Sequence, residues 1–316
     1  MIDIKKILVP TDFSDTANKA ANHAAMLAKT FNAKLTLLNV IEPNFAPVSV
    51  STGDITVELS QIAEVFQKSY EEHVNKQLQE IAKSEQMQSS GGCDTVYLND
   101  YPPSATIAKY AKSNEIDLIV IGTHGRTGLS EWFFGSTTER LLRIAPCPVL
   151  TIGPGADKDV KEEVFDHILF PFDLSEASKH ALRYACSFAE KYKAKLELLH
   201  VVEYRNLPDS YTVRGKEIFN TITDLEERIL DKMAEEVNSL YGGTHPLNAE
   251  FVVQEGKPFE QIINFANEIK SKLIVIGNTG INETHGHRLG STAENVMPRA
   301  KCPVLVVNSK IHDFIK

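Results

Sequence analysis

Short apolar runs alternate with amphipathic stretches along the chain, and the alternation is written twice. In the first half the runs Ile7–Pro10, Lys34–Ile41, Asp94–Asn99, Leu118–Gly122 and Val149–Ile152 read as strands. In the second half the runs are Ile168–Pro171, Lys195–Val202, Ala249–Gln254, Leu273–Gly277 and Val304–Val307. Between them lie stretches of period 3.6. The first carries Ala20, Ala21, Ala24, Leu27, Ala28 and Phe31 on one face; its counterpart carries Ala181, Leu182, Ala185, Phe188, Ala189 and Tyr192. Near-continuous apolar strands separated by such helices imply a parallel sheet covered on both faces. The expected fold is therefore α/β: two tandem doubly wound five-stranded sheets, Rossmann-like, with strand order 3-2-1-4-5.

The repeat itself is ungapped over long stretches. The 38 residues from Lys5 match those from Asp166, and SATIAKYAKSNEIDLIVIG matches FEQIINFANEIKSKLIVIG. The expected division is domain one at residues 1–153, a polar linker at 154–164 in the region of GPGADKDVKEE (Gly153–Glu163), and domain two at 165–310. Glu42–Glu58 and Tyr204–Lys216 read as loops that run into charged helices at Leu59–Lys83 and Ile218–Leu240.

Composition narrows the partners. An apolar fraction of 42% suffices for two cores, and a formal charge of −9 argues against nucleic acid or an anionic membrane as the main partner. No secretory leader and no run of membrane-spanning length is seen. Cys93, Cys147, Cys186 and Cys302 form no C-x-x-C pair, which reads as a reduced, cytoplasmic setting. Cys147 and Cys302 hold matching positions, where a small buried residue is expected.

The candidate chemistry lies in two repeated features. The pattern G-x2-G-x9-G-[ST] occurs as Gly122, Gly125, Gly135, Ser136 and again as Gly277, Gly280, Gly290, Ser291. Each copy follows the fourth strand and leads into a helix, where bare backbone N–H groups can approach a phosphate. The second feature is the loop after the first strand: Pro10-Thr11-Asp12-Phe13-Ser14, repeated as Pro171-Phe172-Asp173-Leu174-Ser175. With order 3-2-1-4-5 both loops open on one crevice per domain, between the first and fourth strands. Simpler roles stand beside these. Gly122 and Gly277 fit a turn at positive φ. Ser136 with Glu139, and Ser291 with Glu294, fit capping boxes. Asp12 and Asp173 fit turn or capping residues as well as contacts to ribose, adenine or a phosphate-bound metal.

These loops, the two complete glycine motifs and the CPVL closing strands resemble the universal stress protein family, over nearly the whole chain. The complete motif is that of the family's ATP-binding branch. The resemblance implies that Asp12 and Val40 line the adenosine end in domain one. It gives ribose and phosphates to Gly122, Gly125, Gly135 and Ser136, with His124, Arg126 and Thr137 nearby. In domain two it implies Asp173, Val201, Gly277, Gly280, Gly290 and Ser291, with Thr292 nearby. The expected cofactor is ATP, AMP or ADP, with Mg2+ carried by the phosphates. The family also pairs domains through the last strand, here Val149–Ile152 with Val304–Val307 as an internal pseudo-dimer; protein partners and a homodimer are further expectations.

The two copies depart from each other. Between the second and third motif glycines, the first copy carries Leu129, Trp132, Phe133 and Phe134, whereas the second carries Thr284-His285-Gly286-His287-Arg288. His285 and His287 invite a metal reading, with a solvated loop as the simpler one. Tyr101-Pro102-Pro103 replaces the Gly256-Lys257-Pro258 of domain two, so Tyr101 is expected to narrow the first crevice. Phe172 stands where domain one has Thr11 and removes a hydroxyl. No Gly-Lys-[ST] phosphate loop and no nucleophile–base set is found. The function expected is a nucleotide-binding regulatory module with at most slow ATP hydrolysis; the alternative is an interaction scaffold that needs no nucleotide.

Overall fold

A computed structural model describes residues 3–42, 49–52, 55–58, 60–124, 135–156, 165–203, 215–279 and 289–308. In the first half, strands β1 (Lys6–Pro10), β2 (Lys34–Ile41), β5 (Asp94–Asn99), β6 (Leu118–Gly122) and β7 (Val149–Ile152) alternate with helices. These are α1 (Asp15–Phe31), α2 (Ser60–Ala82), α3 (Glu85–Ser89), α4 (Pro103–Ser113) and α5 (Ser136–Ile144). The second half repeats this with β8 (His167–Pro171), β9 (Lys195–Val202), β10 (Asn248–Glu255), β11 (Leu273–Gly277) and β12 (Val304–Val307). Its helices are α6 (Glu176–Tyr192), α7 (Gly215–Leu240), α8 (Pro258–Glu268) and α9 (Ser291–Val296).

The strands join into one ten-stranded sheet, β10-β9-β8-β11-β12-β7-β6-β1-β2-β5. Each half has the expected order 3-2-1-4-5, and all pairs are parallel except the junction. There β12 runs antiparallel to β7, with Leu305 opposite Leu150. Both closing strands are wholly buried, because each covers the edge the other would leave open.

Two core layers sandwich the sheet. One, under α1, α2, α6 and α7, runs through both halves from Leu27 and Leu37 to Phe188 and Leu198. The small face of α1, with Ala20, Ala24 and Ala28 buried, lets that helix lie close on the sheet. At the junction an aromatic cluster joins the halves: Phe31 of α1 meets Phe188 and Tyr192 of α6, with ring centroids 6.4 and 6.5 Å apart. The other layer lies under α4, α5, α8 and α9.

Two differences from the sequence reading concern the segment after β2. A two-stranded antiparallel ribbon, β3 (Ser49–Thr52) with β4 (Ile55–Glu58), stands where a loop is expected. The helix α3 also escapes the periodicity, being a single polar turn with only Met87 buried. Much of the expected second loop, at residues 204–214, and most of the linker, at 157–164, lie outside the described residues.

Candidate functional site

The order reversal places the loops after β1 and β6 side by side, since β2 and β6 leave β1 on opposite edges. A cleft of about 420 Å3 opens there in the first half. Its counterpart between β8 and β11 measures about 290 Å3. Pro10, Thr11, Asp12, Val40, Gly122, His124, Gly135, Ser136 and Thr137 all line the first cleft. Pro171, Asp173, Val201, Gly277, Gly290, Ser291 and Thr292 all line the second. Gly125, Arg126, Gly280, His285 and His287 lie outside the described residues.

The Asp loop makes the same turn twice. Asp12 Oδ1 accepts the N–H of Ser14 at 3.0 Å, and Asp173 Oδ1 accepts that of Ser175 at 3.0 Å, an Asx turn in each case. The helix cap is the following serine: Ser14 Oγ accepts from Ala17 N–H and Ser175 Oγ from Ser178 N–H. Between aspartate and serine, Phe13 (φ 66°) and Leu174 (φ 65°) adopt the left-handed conformation. That conformation costs a non-glycine residue roughly 1–2 kcal/mol, and no sequence signal announces it. Phe13 and Leu174 both pack against the core, which holds the turn.

The strand beside each Asp loop holds it from behind. Asn39 Nδ2 donates to the carbonyl of Thr11 at 2.8 Å, and His200 Nδ1 donates to that of Phe172 at 2.7 Å. Asn39 and His200 match in the ungapped repeat, so different side chains supply one bond. Both line their clefts, and neither was singled out from the sequence. Thr11 Oγ1 accepts the N–H of Phe13, so its hydroxyl oxygen stabilises the turn. Phe172 instead buries its ring against Phe170, with centroids 5.4 Å apart.

The glycine motif closes on itself. Gly135 N–H donates to the Thr123 carbonyl at 2.8 Å, and Gly290 N–H to that of Asn278 at 2.7 Å. This brings each helix start beside the end of the fourth strand. The expected capping boxes do not form: Gly135 and Gly290 are the N-caps, and neither start has a side-chain cap. Ser136 and Ser291 are already first-turn helical residues. The first-turn amides of α5 thus keep their donors for something in the cleft. Gly122 and Gly277 are not at positive φ either. A β-carbon on Gly122 would stand 2.8 Å from the carbonyl carbon of Thr16, so this glycine admits α1 against the strand end.

The first cleft is tied more firmly than the second. Thr138 Oγ1 donates to the Gly122 carbonyl at 2.9 Å, and Thr16 Oγ1 donates to the carbonyl of His124. Ala293 and Ala177 hold the matching positions and have no hydroxyl to offer. The helix α9 is also only six residues long, against nine in α5. Tyr101 does not narrow the first cleft: it is 64% exposed, and Pro103 and Ile107 line the wall instead.

Each cleft is chemically two-ended. In the first, Val40 and Glu42 come from the β2 side and Gly122, Ser136 and Thr137 from the β6 side, with Asp12 of the central β1 loop between them and Leu38, Ile107 and Ile121 as apolar lining. The second has Asp173 and Glu203 against Ser291 and Thr292. Among the described residues no lysine or arginine lines either cleft. The described lining offers an anion amides and hydroxyls, while the carboxylates accept hydrogen bonds from hydroxyl or amino groups.

The universal stress protein family model matches residues 3–153 and again 165–308. The chain belongs to that family. It carries the domain twice in tandem. Universal stress protein MJ0531 of Methanocaldococcus jannaschii is 33% identical over 149 residues, covering 47% of this chain and 81% of its own. Universal stress protein YxiE of Bacillus subtilis is 32% identical over 147 residues, covering 46% of this chain and 97% of its own. Each such relative thus spans about half of the tandem chain. A universal stress protein from Archaeoglobus fulgidus superposes on 96% of this chain and 98% of its own, with TM-score 0.64 and 22% identity, so the double-domain fold is shared. Among the described residues no helix is long and apolar enough to cross a membrane.

Proposed function

We propose that this universal stress protein is a regulatory module that binds an adenine nucleotide, ATP in the first instance, in its first cleft and more weakly in its second. The observation that carries the reading is the two-ended first cleft, at the switch point of the sheet. Uncapped α5 amides suit the phosphates. Leu38, Val40 and Ile107 suit the base, and Asp12 and Glu42 suit the donors of ribose and the amino group. The Thr16 and Thr138 bonds prearrange this cleft, and the second lacks both, which supports the unequal affinities.

Mg2+ would enter as a counter-ion carried by the phosphates. The sequence carries no Gly-Lys-[ST] phosphate loop, which favours retention of ATP over rapid turnover. Occupancy would then be the signal read by protein partners, in a cytoplasmic setting. Native mass spectrometry of the purified chain, followed by calorimetric titration with ATP, ADP and AMP, tests the reading. Retained or titratable nucleotide is expected. A bare protein with flat titrations would leave the scaffold reading, in which cleft variants behave as wild type in partner pull-downs.

A further inference from the structure

The helices α2 and α7 occupy equivalent places but treat their cleft-side turn differently. On α2 Val74 and Leu78 are fully buried, and on α7 Met233 and Val237 are. One turn earlier on each helix the residues are Tyr70 and Ile229. Ile229 is 9% exposed, sits in the core and does not line the second cleft. Tyr70 is 40% exposed and stands in the wall of the first cleft, which Val40, Pro103 and Ile107 also line. It is the only Phe, Tyr or Trp among the described residues of that wall. Among the described residues of the second cleft the one such residue, Phe172, is 1% exposed. A tyrosine at a cleft wall offers a flat apolar face while its hydroxyl stays wet.

We propose that Tyr70 is the base-selecting residue of the first cleft, stacking on a bound nucleobase, so that this cleft distinguishes a nucleoside phosphate from a bare polyphosphate and the second does not. The inference rests on the nucleotide reading above and assigns its specificity to one side chain. Stacking of this kind is sequence-tolerant among bases, because every base has a π-face. It therefore selects for the presence of a base, and the carboxylates Asp12 and Glu42 remain to prefer an amino-bearing one.

The test is calorimetric titration of the full chain with ATP and with inorganic triphosphate, for wild type, Tyr70→Ala, Tyr70→Phe and Phe66→Ala. Phe66 lies one turn away, is 62% exposed and does not line the cleft, so it controls for general effects on α2. Tyr70→Ala is expected to weaken the tighter ATP event about 10-fold, with triphosphate binding unchanged. Tyr70→Phe and Phe66→Ala should bind both as wild type does. Equal ATP affinity in wild type and Tyr70→Ala overturns the inference and leaves the nucleotide reading standing; so does a parallel loss of triphosphate binding. A wild-type chain that binds no ATP overturns both. Unchanged circular dichroism and melting temperature confirm that the variants are folded.

Discussion

Gly122 lies so close to Thr16 that a β-carbon on it would meet the threonine's carbonyl carbon at 2.8 Å. The nearest atom to a β-carbon on Gly277, the backbone of Ala177, is at 3.4 Å, an ordinary contact. Backbone cannot rotate aside as a side chain can. Gly122→Ala should therefore cost about 1–3 kcal/mol of stability, and Gly277→Ala under about 1 kcal/mol. Urea unfolding of the two variants compares them. Equal costs would mean that these glycines do not differ in how tightly they admit the helix.

The Asp loops make a prediction that separates charge from turn geometry. Asp12→Asn keeps an oxygen to accept the Ser14 N–H, whereas Asp12→Ala removes it. Asp12→Asn should weaken ATP about 10-fold, by the loss of a charge-assisted bond. Asp12→Ala should weaken it further and also lower stability. Calorimetric titration with ATP and thermal melts read the two effects. If Asp12→Asn binds as wild type while Asp12→Ala does not, the aspartate serves the turn alone.

Asn39 and His200 perform the same task, so exchange should be tolerated. Asn39→His is expected to hold the Thr11 carbonyl and keep stability within about 1 kcal/mol of wild type. Asn39→Leu leaves that carbonyl without its partner and should cost about 1–3 kcal/mol. Denaturant titration distinguishes them. Loss of the same stability in both variants would show that the bond is dispensable and side-chain volume decides.

The cysteines predict the alkaline limit of the fold. Burial pushes the thiols of Cys186 and Cys302 up to about 12, and that of Cys93 to about 11. Burial raises Cys147 as well. In the unfolded chain these thiols ionise near their ordinary value of 9.0. From about pH 9 upward the unfolded state therefore binds fewer protons than the native one, and stability falls as pH rises through the folded values. The denaturant midpoint should drop steadily above pH 9. At pH 8 iodoacetamide should modify the native protein far more slowly than the unfolded chain. Rapid native labelling at Cys147 or Cys302 would contradict the burial.

The strands of the large sheet, the order 3-2-1-4-5 and the tandem were legible in the sequence; the ribbon of β3 and β4 was not, and the joining of the closing strands came from the family resemblance. Apolar runs of strand length are a local signal, and the repeat supplied each reading twice. The described residues expected at the nucleotide sites line their clefts, because the switch point follows from strand order, whereas Tyr101 stays outside its cleft. Asn39, His200 and Tyr70 were missed. Each sits in a segment whose pattern was already explained by packing, and only position in three dimensions turns it toward a cleft.

The sequence by itself determined an α/β chain of two halves, with an Asp loop and a glycine motif converging in each. Those properties reside in periodicity and in residue types at fixed spacing. The tertiary structure decided what each residue does there. Gly122 admits α1 and is not a positive-φ turn, and Gly135, rather than Ser136, caps α5. Thr16 and Thr138 make two bonds at the first cleft for which Ala177 and Ala293 offer no hydroxyl at the second. Close approach, hydrogen-bond pairing and the choice between wall and core depend on atoms far apart in the chain. A residue's own neighbours in sequence carry no record of them.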